Sequence, residues 1–364
     1  MTQVIASPSR YIQGKGEIGN LCKYAANFGK KLCIVTCAAG RKRVEDQIVS
    51  GQKDSGVEIQ FEVFNGECCM TEISRISDML KQSGCDMIAG VGGGKIHDTA
   101  KAAGYYTGLP VLIVPTIAST DAPCSALSVI YTDEGVFEKY LFLPSSPNVV
   151  LVDTDIVSKA PARLLVSGMG DALATYFEAR ACKQSNADNC VGGKCTQAAM
   201  ALAELCYDTL MEYGLNAAIA ADEKVCTKAV ENIIEANTYL SGIGFESGGL
   251  AGAHAIHNGL TAIDATHKMY HGEKVAFGTL VQLVLENADS EEIEEVVEFC
   301  QAVGLPTTLE ELGIKEVKPE EIMEVAKLAA AEGDTLSNMP FEVTPEDVYA
   351  AILAADAIGR SYME

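Results

Sequence analysis

Ile88 to Lys101 reads IAGVGGGKIHDTAK. A strand-like apolar run ends at Val91, glycines follow at Gly92, Gly93 and Gly94, and a helix opens near Ile96. Glycines permit a tight turn and let backbone N–H groups come close to an anion, and the helix N-terminus adds a partial positive charge. Two phosphate-binding templates fail here. A P-loop needs a glycine separated by four residues from the Gly94–Lys95 pair, where the chain has Ala89, and Ile96 stands where Ser or Thr is required. The dinucleotide fingerprint fails as well, since its third glycine falls on His97. The loop therefore reads as a phosphate cradle of unspecified type, with a plain strand–helix turn as the alternative.

Outward from this loop the pattern repeats. Leu32–Thr36 (LCIVT), Val57–Phe64, Met87–Val91, Val111–Val114 and Val149–Val152 read as buried strands. Helix-like segments lie between them, such as Thr71–Ser83 with Thr71 as N-cap. Alternation of strand and helix predicts a parallel sheet with helices on its faces. Beyond Pro161, an early helical residue, the chain becomes rich in Ala, Leu and Glu with long helical periodicity. Helices are expected over Arg163–Ala181, Lys194–Tyr213, Lys224–Leu240 and Glu273–Glu286. The expected organisation is an α/β domain over 1–160 and an all-α domain over 161–364, with chemistry in a cleft between them.

Bulk properties narrow the function. A chain of 364 residues, 48% apolar, has material for two cores. A net charge of −23 argues against nucleic-acid and anionic-membrane partners, which need concentrated basic surface. The start shows no basic segment followed by an apolar run, and no stretch approaches the ~18 apolar residues of a membrane helix. Thirteen scattered cysteines without a C-x-x-C pair read as reduced thiols, and the expected location is the cytoplasm.

Three further features carry chemistry. Val114–Tyr131 (VPTIASTDAPCSALSVIY) begins where a strand ends, at the ligand-binding edge of an open α/β sheet. Its hydroxyls, at Thr116, Ser119, Thr120, Ser125 and Ser128, suit phosphate or ribose, and Asp121 suits polyol hydroxyls. The alternative is a polar turn with Asp121 as a helix cap. Four of the five histidines, His254, His257, His267 and His271, fall close together. His254 and His257 share a face if their segment is helical. Clustering favours a metal, which tertiary structure would have to assemble; solvated or partly buried side chains are the other reading. Asp171, in the apolar helix start SGMGDALATYFEA, is either a first-turn residue or an acidic ligand.

GVGGGKIHDTAK, PTIASTDAPCSALSVIY, GMGDALATYFEA, ESGGLAGAHAIHNGL and HGEKVAFGTLVQL together resemble, in order and spacing, the glycerol-oxidising members of the iron-containing alcohol dehydrogenase superfamily. The resemblance runs from about Pro8 to the C-terminal region. It implies a dehydroquinate synthase-like fold and a homo-oligomer, from dimer to octamer. The implied reaction is oxidation of glycerol to dihydroxyacetone with hydride transfer to NAD. Another small vicinal diol such as 1,2-propanediol, or a lyase of the dehydroquinate synthase type, are its alternatives. By the same resemblance Asp171, His254 and His271 would hold a catalytic Zn²⁺. Asp121, with Asp171 and His254, would contact substrate, and Gly92, Gly93, Gly94, Lys95, Asp98, Thr116, Ser119, Ser125, Leu127 and Tyr131 would line the cofactor. Iron-using relatives carry a fourth ligand, a His, one turn after the Asp; here that position is Thr175, and three ligands with an open position suit zinc. One departure stands out. Where the family usually has an Asp for the adenosine ribose, this chain has Cys37, followed by Arg41, Lys42 and Arg43, so NADP is expected to be tolerated.

Overall fold

The structure, a computed structural model, describes residues 2–363; the terminal positions 1 and 364 of the expected domains lie outside them. The chain forms two compact units. One comprises Ala6–Ala160 with Lys224–Cys226; the other comprises Pro161–Glu223, the chain from Thr227 onward and the N-terminal residues up to Ile5.

The α/β unit contains β1 (Tyr11–Gly14), β2 (Lys31–Thr36), β3 (Glu58–Val63), β4 (Met87–Gly92), β5 (Val111–Pro115), β6 (Leu127–Tyr131), β7 (Phe137–Phe142) and β8 (Val149–Asp153). Its helices are α1 (Leu21–Ala25), α2 (Ala38–Gln52), α3 (Met70–Ser83), α4 (Gly94–Thr107) and α5 (Thr154–Val157). Six strands form one parallel sheet in the order β1-β8-β5-β4-β2-β3. β4, β5 and β8 are buried along their whole length, as continuous apolar runs require when helices cover both faces. The expected strand over Val57–Phe64 is different. β3 is partly exposed because it is the edge strand, and its alternating sequence EIQFEV fits that place. Leu127–Tyr131, assigned above to the polar loop, instead pairs antiparallel with Phe137–Phe142 in a separate hairpin. Helix α3 is preceded by Cys69, not Thr71, at the N-cap position, so the cap expected at Thr71 lies one residue inside the helix.

The helical unit contains α6 (Ala162–Ser185), α7 (Gln197–Asp222), α8 (Lys228–Glu235), α9 (Ser241–Gly248), α10 (Gly252–Leu260), α11 (His271–Leu285), α12 (Ser290–Val303), α13 (Pro319–Ala329) and α14 (Pro345–Ser361). The helix expected from Lys224 starts only at Lys228. Lys224 is left-handed at φ 58°, and the Thr227 side chain accepts from the Val230 N–H to cap the first turn. A π-helical turn over Ala236–Leu240 then joins α8 to α9. Asp171 lies well inside the 24-residue α6 and is fully buried there, so the helix-start reading does not hold. All thirteen cysteines are free thiols. Among the described residues, no helix is long and apolar enough to cross a membrane.

Candidate metal centre and cofactor loops

In the helical unit one point gathers three ligand-type side chains. Ligand atoms of Asp171 on α6, His254 on α10 and His271 at the start of α11 all lie within 4.8 Å of one another. Small residues make this approach possible. A Cβ on Gly272 would stand 1.8 Å from the Ser167 carbonyl oxygen, and one on Gly170 would stand 2.3 Å from the Gly272 oxygen. Backbone therefore meets backbone where α6 crosses α11, right beside Asp171 and His271. A Cβ on Gly278 would likewise stand 2.4 Å from the Ala253 oxygen, which brings α11 against α10 next to His254. The start of α11 is also pinned from outside. Arg163 reaches across from α6 to Glu273, Nε to Oε1 at 2.6 Å, while Glu273 Oε2 accepts from the Tyr270 N–H at 2.7 Å at the N-terminus of α11.

A second layer orients the rings. Glu178, two helical turns after Asp171 on the same face of α6, takes His254 Nδ1 at 2.6 Å and the His254 and Ala251 N–H groups at 2.9 and 2.8 Å. Nδ1 of His254 is thus the protonated nitrogen, and Nε2, 3.6 Å from Asp171 Oδ1, is left to ligate. His271 Nδ1 lies 3.0 Å from His257 Nε2, and His257 Nδ1 lies 3.1 Å from Asn258 Oδ1. Asn258 in turn donates to Asp334 at 3.1 Å. Read as a donor chain, this network also frees His271 Nε2, which stands 3.0 Å from Asp171 Oδ1. Both rings turn Nε2 toward one carboxylate oxygen.

The local field asks for a cation. Burial alone would lower the His254 pKa, but the Glu178 and Asp171 carboxylates outweigh it and hold the ring well above the ordinary imidazole value. Asp171 is opposed by burial too, yet the facing His271 and His254 rings keep its carboxyl well below the usual range. His257 goes the other way: burial, reinforced by His271 and Lys274, holds it well below the ordinary value. Two imidazole nitrogens and one carboxylate oxygen, with outer hydrogen bonds satisfied, suit a borderline-soft divalent ion. Thr175, one turn after Asp171, hydrogen-bonds Ser241 at 2.9 Å.

In the α/β unit, β2 and β4 are neighbours from which the chain proceeds to opposite sides of the sheet, the position where such sheets bind ligands beyond their carboxyl ends. Cys37 follows β2 and Gly93 follows β4, each as the N-cap residue of a helix. None of Gly92, Gly93 and Gly94 has a positive φ, so the turn itself does not demand glycine. At Gly92 a Cβ would strike Ile96 at 2.5 Å, a packing reason. At Gly94 a Cβ would meet nothing within 4 Å, so packing within the chain gives no reason for glycine there. The Thr116 N–H donates to Gly92 O at 2.9 Å, so the second loop leaves the sheet beside the first.

The remaining expected cofactor residues sit around these loops. Lys95 pairs with Glu67 at 2.6 Å and lies over the Tyr131 ring. Asp121 takes the N-cap position of a short 3₁₀ turn, Ala122–Cys124, but its side chain makes no capping hydrogen bond. Ser119 stands in the bend before it, and Ser125 and Leu127 lie where the segment turns into β6. Asp98 points inward to Lys101 at 2.9 Å. Cys37 Sγ accepts from the Gly40 N–H at 3.2 Å, while Arg41 is held by Glu45 at 2.6 Å and packs over Phe61. Glu178 and Lys101 were not singled out from the sequence. The signal for Glu178 was present, a second carboxylate seven residues after Asp171 in an otherwise apolar helix.

The family model described as iron-containing alcohol dehydrogenase matches residues 8–154. A glycerol dehydrogenase of Escherichia coli O6:H1 is 56% identical over 364 residues, 100% of this chain and 99% of its own. The chain belongs to the iron-containing alcohol dehydrogenases. Among solved structures of this family, a probable glycerol dehydrogenase from Sinorhizobium meliloti superposes with a TM-score of 0.93 at 47% identity, covering 99% of this chain and 100% of that one. The glycerol dehydrogenase of Schizosaccharomyces pombe superposes at 0.95 with 40% identity, covering 99% and 92%. The expected fold, a parallel α/β part followed by a helical part, is the one these relatives share.

Proposed function

We propose that this chain is an NAD-dependent dehydrogenase that interconverts glycerol and dihydroxyacetone, with a zinc ion held by Asp171, His254 and His271. The observation that supports it most is the convergence of two Nε2 atoms on the Asp171 carboxylate, each ring locked by a hydrogen bond behind it. Bound there, zinc supplies Lewis acidity that lowers the pKa of the alcohol to be oxidised, and the nicotinamide supplies the hydride acceptor. The chain does the positioning. Asp171 supplies negative charge to the ion site, Glu178 fixes His254, and His257 fixes His271. In this reading Asp121 holds the polyol hydroxyls, and Gly94, with the adjoining N-terminus of α4, receives the cofactor phosphates. Zinc is preferred to iron because Thr175, tied to Ser241, stands where a fourth ligand would. We extend the cofactor reading to NADP because Cys37 provides no carboxylate to repel a 2′-phosphate and Lys42 and Arg43 stand nearby.

The test is reduction of NAD with glycerol, followed at 340 nm, before and after chelation and again with zinc restored. Turnover that disappears and returns with zinc supports the reading. Zinc-replete protein that oxidises no diol with either cofactor defeats it.

A further inference from the structure

Lys101 is among the largest fully buried side chains of the described residues, and the metal site does not use it. It stands on α4 two turns after the glycine loop. Its Nζ donates to Ala122 O at 3.0 Å, to Ser125 Oγ and O at 3.3 and 3.4 Å, and in closest contact to Leu127 O. It also pairs with Asp98 Oδ1 at 2.9 Å. An ammonium has three protons, and here five acceptors surround it. The paired Asp98 completes the brace: Oδ2 accepts from the Val129 N–H at 3.1 Å, and its main-chain oxygen accepts from Ser128 Oγ at 3.0 Å. A buried ion pair is a costly way to hold a fold together, and an apolar pair of similar volume would often serve stability as well. What an apolar pair could not do is bind three carbonyl oxygens along the segment that runs from the 3₁₀ turn into the start of β6.

We infer that Lys101, with Asp98 behind it, is a positioning residue for cofactor binding: it fastens residues 122–129 to the helix that carries the glycine loop, and so sets the second cofactor loop in register with the first. Lys101 itself touches no ligand. It acts through the backbone of Ala122, Ser125 and Leu127. The inference rests on the reading that the α/β unit binds NAD.

The test compares wild type, Lys101→Met and Ser128→Ala as full-length zinc-loaded enzymes. Kd for NAD is measured by titration calorimetry, with KM for NAD, KM for glycerol, kcat and zinc content alongside. Ser128→Ala leaves the buried ion pair intact and removes one tie of the loop. The expected result is a rise in Kd and KM for NAD of about tenfold or more in Lys101→Met, as loss of a charged hydrogen bond implies, and about threefold in Ser128→Ala. KM for glycerol and zinc content stay near wild type. A purely structural role would instead lower the active fraction, and with it kcat, while leaving KM for NAD unchanged. NAD affinity within about twofold of wild type in folded Lys101→Met overturns the inference, as does a misfolded Lys101→Met beside a Ser128→Ala that binds NAD normally. Wild type that binds neither NAD nor NADP overturns the functional reading itself, a distinct outcome.

Discussion

At the scale of single residues, the metal centre depends on charge as much as on ligand count. Asp171 is the one carboxylate both histidines face, so Asp171→Asn keeps the shape and removes the attraction. It is expected to lose bound zinc and nearly all turnover; metal analysis of the purified variant checks this, and a zinc-free variant that still turns over would sink the assignment. Glu178→Gln tests the layer behind. Substitution of such outer partners typically weakens metal affinity by about 10–100-fold, which competition with a chelating dye will measure; wild-type affinity would show that Glu178 does not tune the site. Cys37 poses the cofactor question. Because Arg41 is already engaged by Glu45, the absent carboxylate is expected to matter more than that arginine. Cys37→Asp should raise the ratio of kcat/KM for NAD over NADP, and an unchanged ratio refutes a role for Cys37 in the choice.

At the scale of elements, the site is a product of helix crossings. α6, α10 and α11 approach closely enough to share a metal only because Gly170, Gly272 and Gly278 leave room for backbone. Gly272→Ala must push α11 off Ser167 and Asp171. Overpacking of this kind costs about 1–3 kcal/mol, and Tm falls by roughly 2–4 °C per kcal/mol in units of this size. Calorimetry should show that fall together with reduced zinc retention. A Tm within about 1 °C of wild type and full zinc content would mean the crossing tolerates the methyl. The same scale shows where periodicity misled. Val57–Phe64 reads as a buried strand, but β3 lies at the edge of the sheet, where the Glu58, Gln60 and Glu62 side chains of its alternating sequence are tolerated. Leu127–Tyr131 looked like loop because its partner, Phe137–Phe142, lies beyond a turn.

At the scale of the whole molecule, a ligand that binds only the folded form stabilises it by mass action, about 2.7 kcal/mol at a free concentration 100 times Kd. With three ligands drawn from helices far apart in the sequence, zinc should act this way on the helical unit. Exhaustive chelation is expected to lower its Tm by roughly 5 °C or more, restored by zinc; an unshifted transition after demonstrated metal loss would show that the site adds nothing to the fold.

The α/β-then-helical organisation and the chemistry on offer were legible in the sequence itself, because both rest on local pattern. Buried β-branched runs, glycines at a strand–helix junction and long Ala- and Leu-rich periodicity state their own structure over a few turns. Histidine and carboxylate ligands were visible as residue types. What distance along the chain conceals, only the tertiary structure decided. Asp171 and His271 are 100 residues apart by number, and no spacing rule joins them; helix crossings at glycine do. Glu178 and Lys101 became legible for the same reason. A buried charge has no meaning until its partners are known, and those of Lys101 lie in the strand-to-strand segment it holds, while those of Glu178 lie on a helix more than seventy positions away.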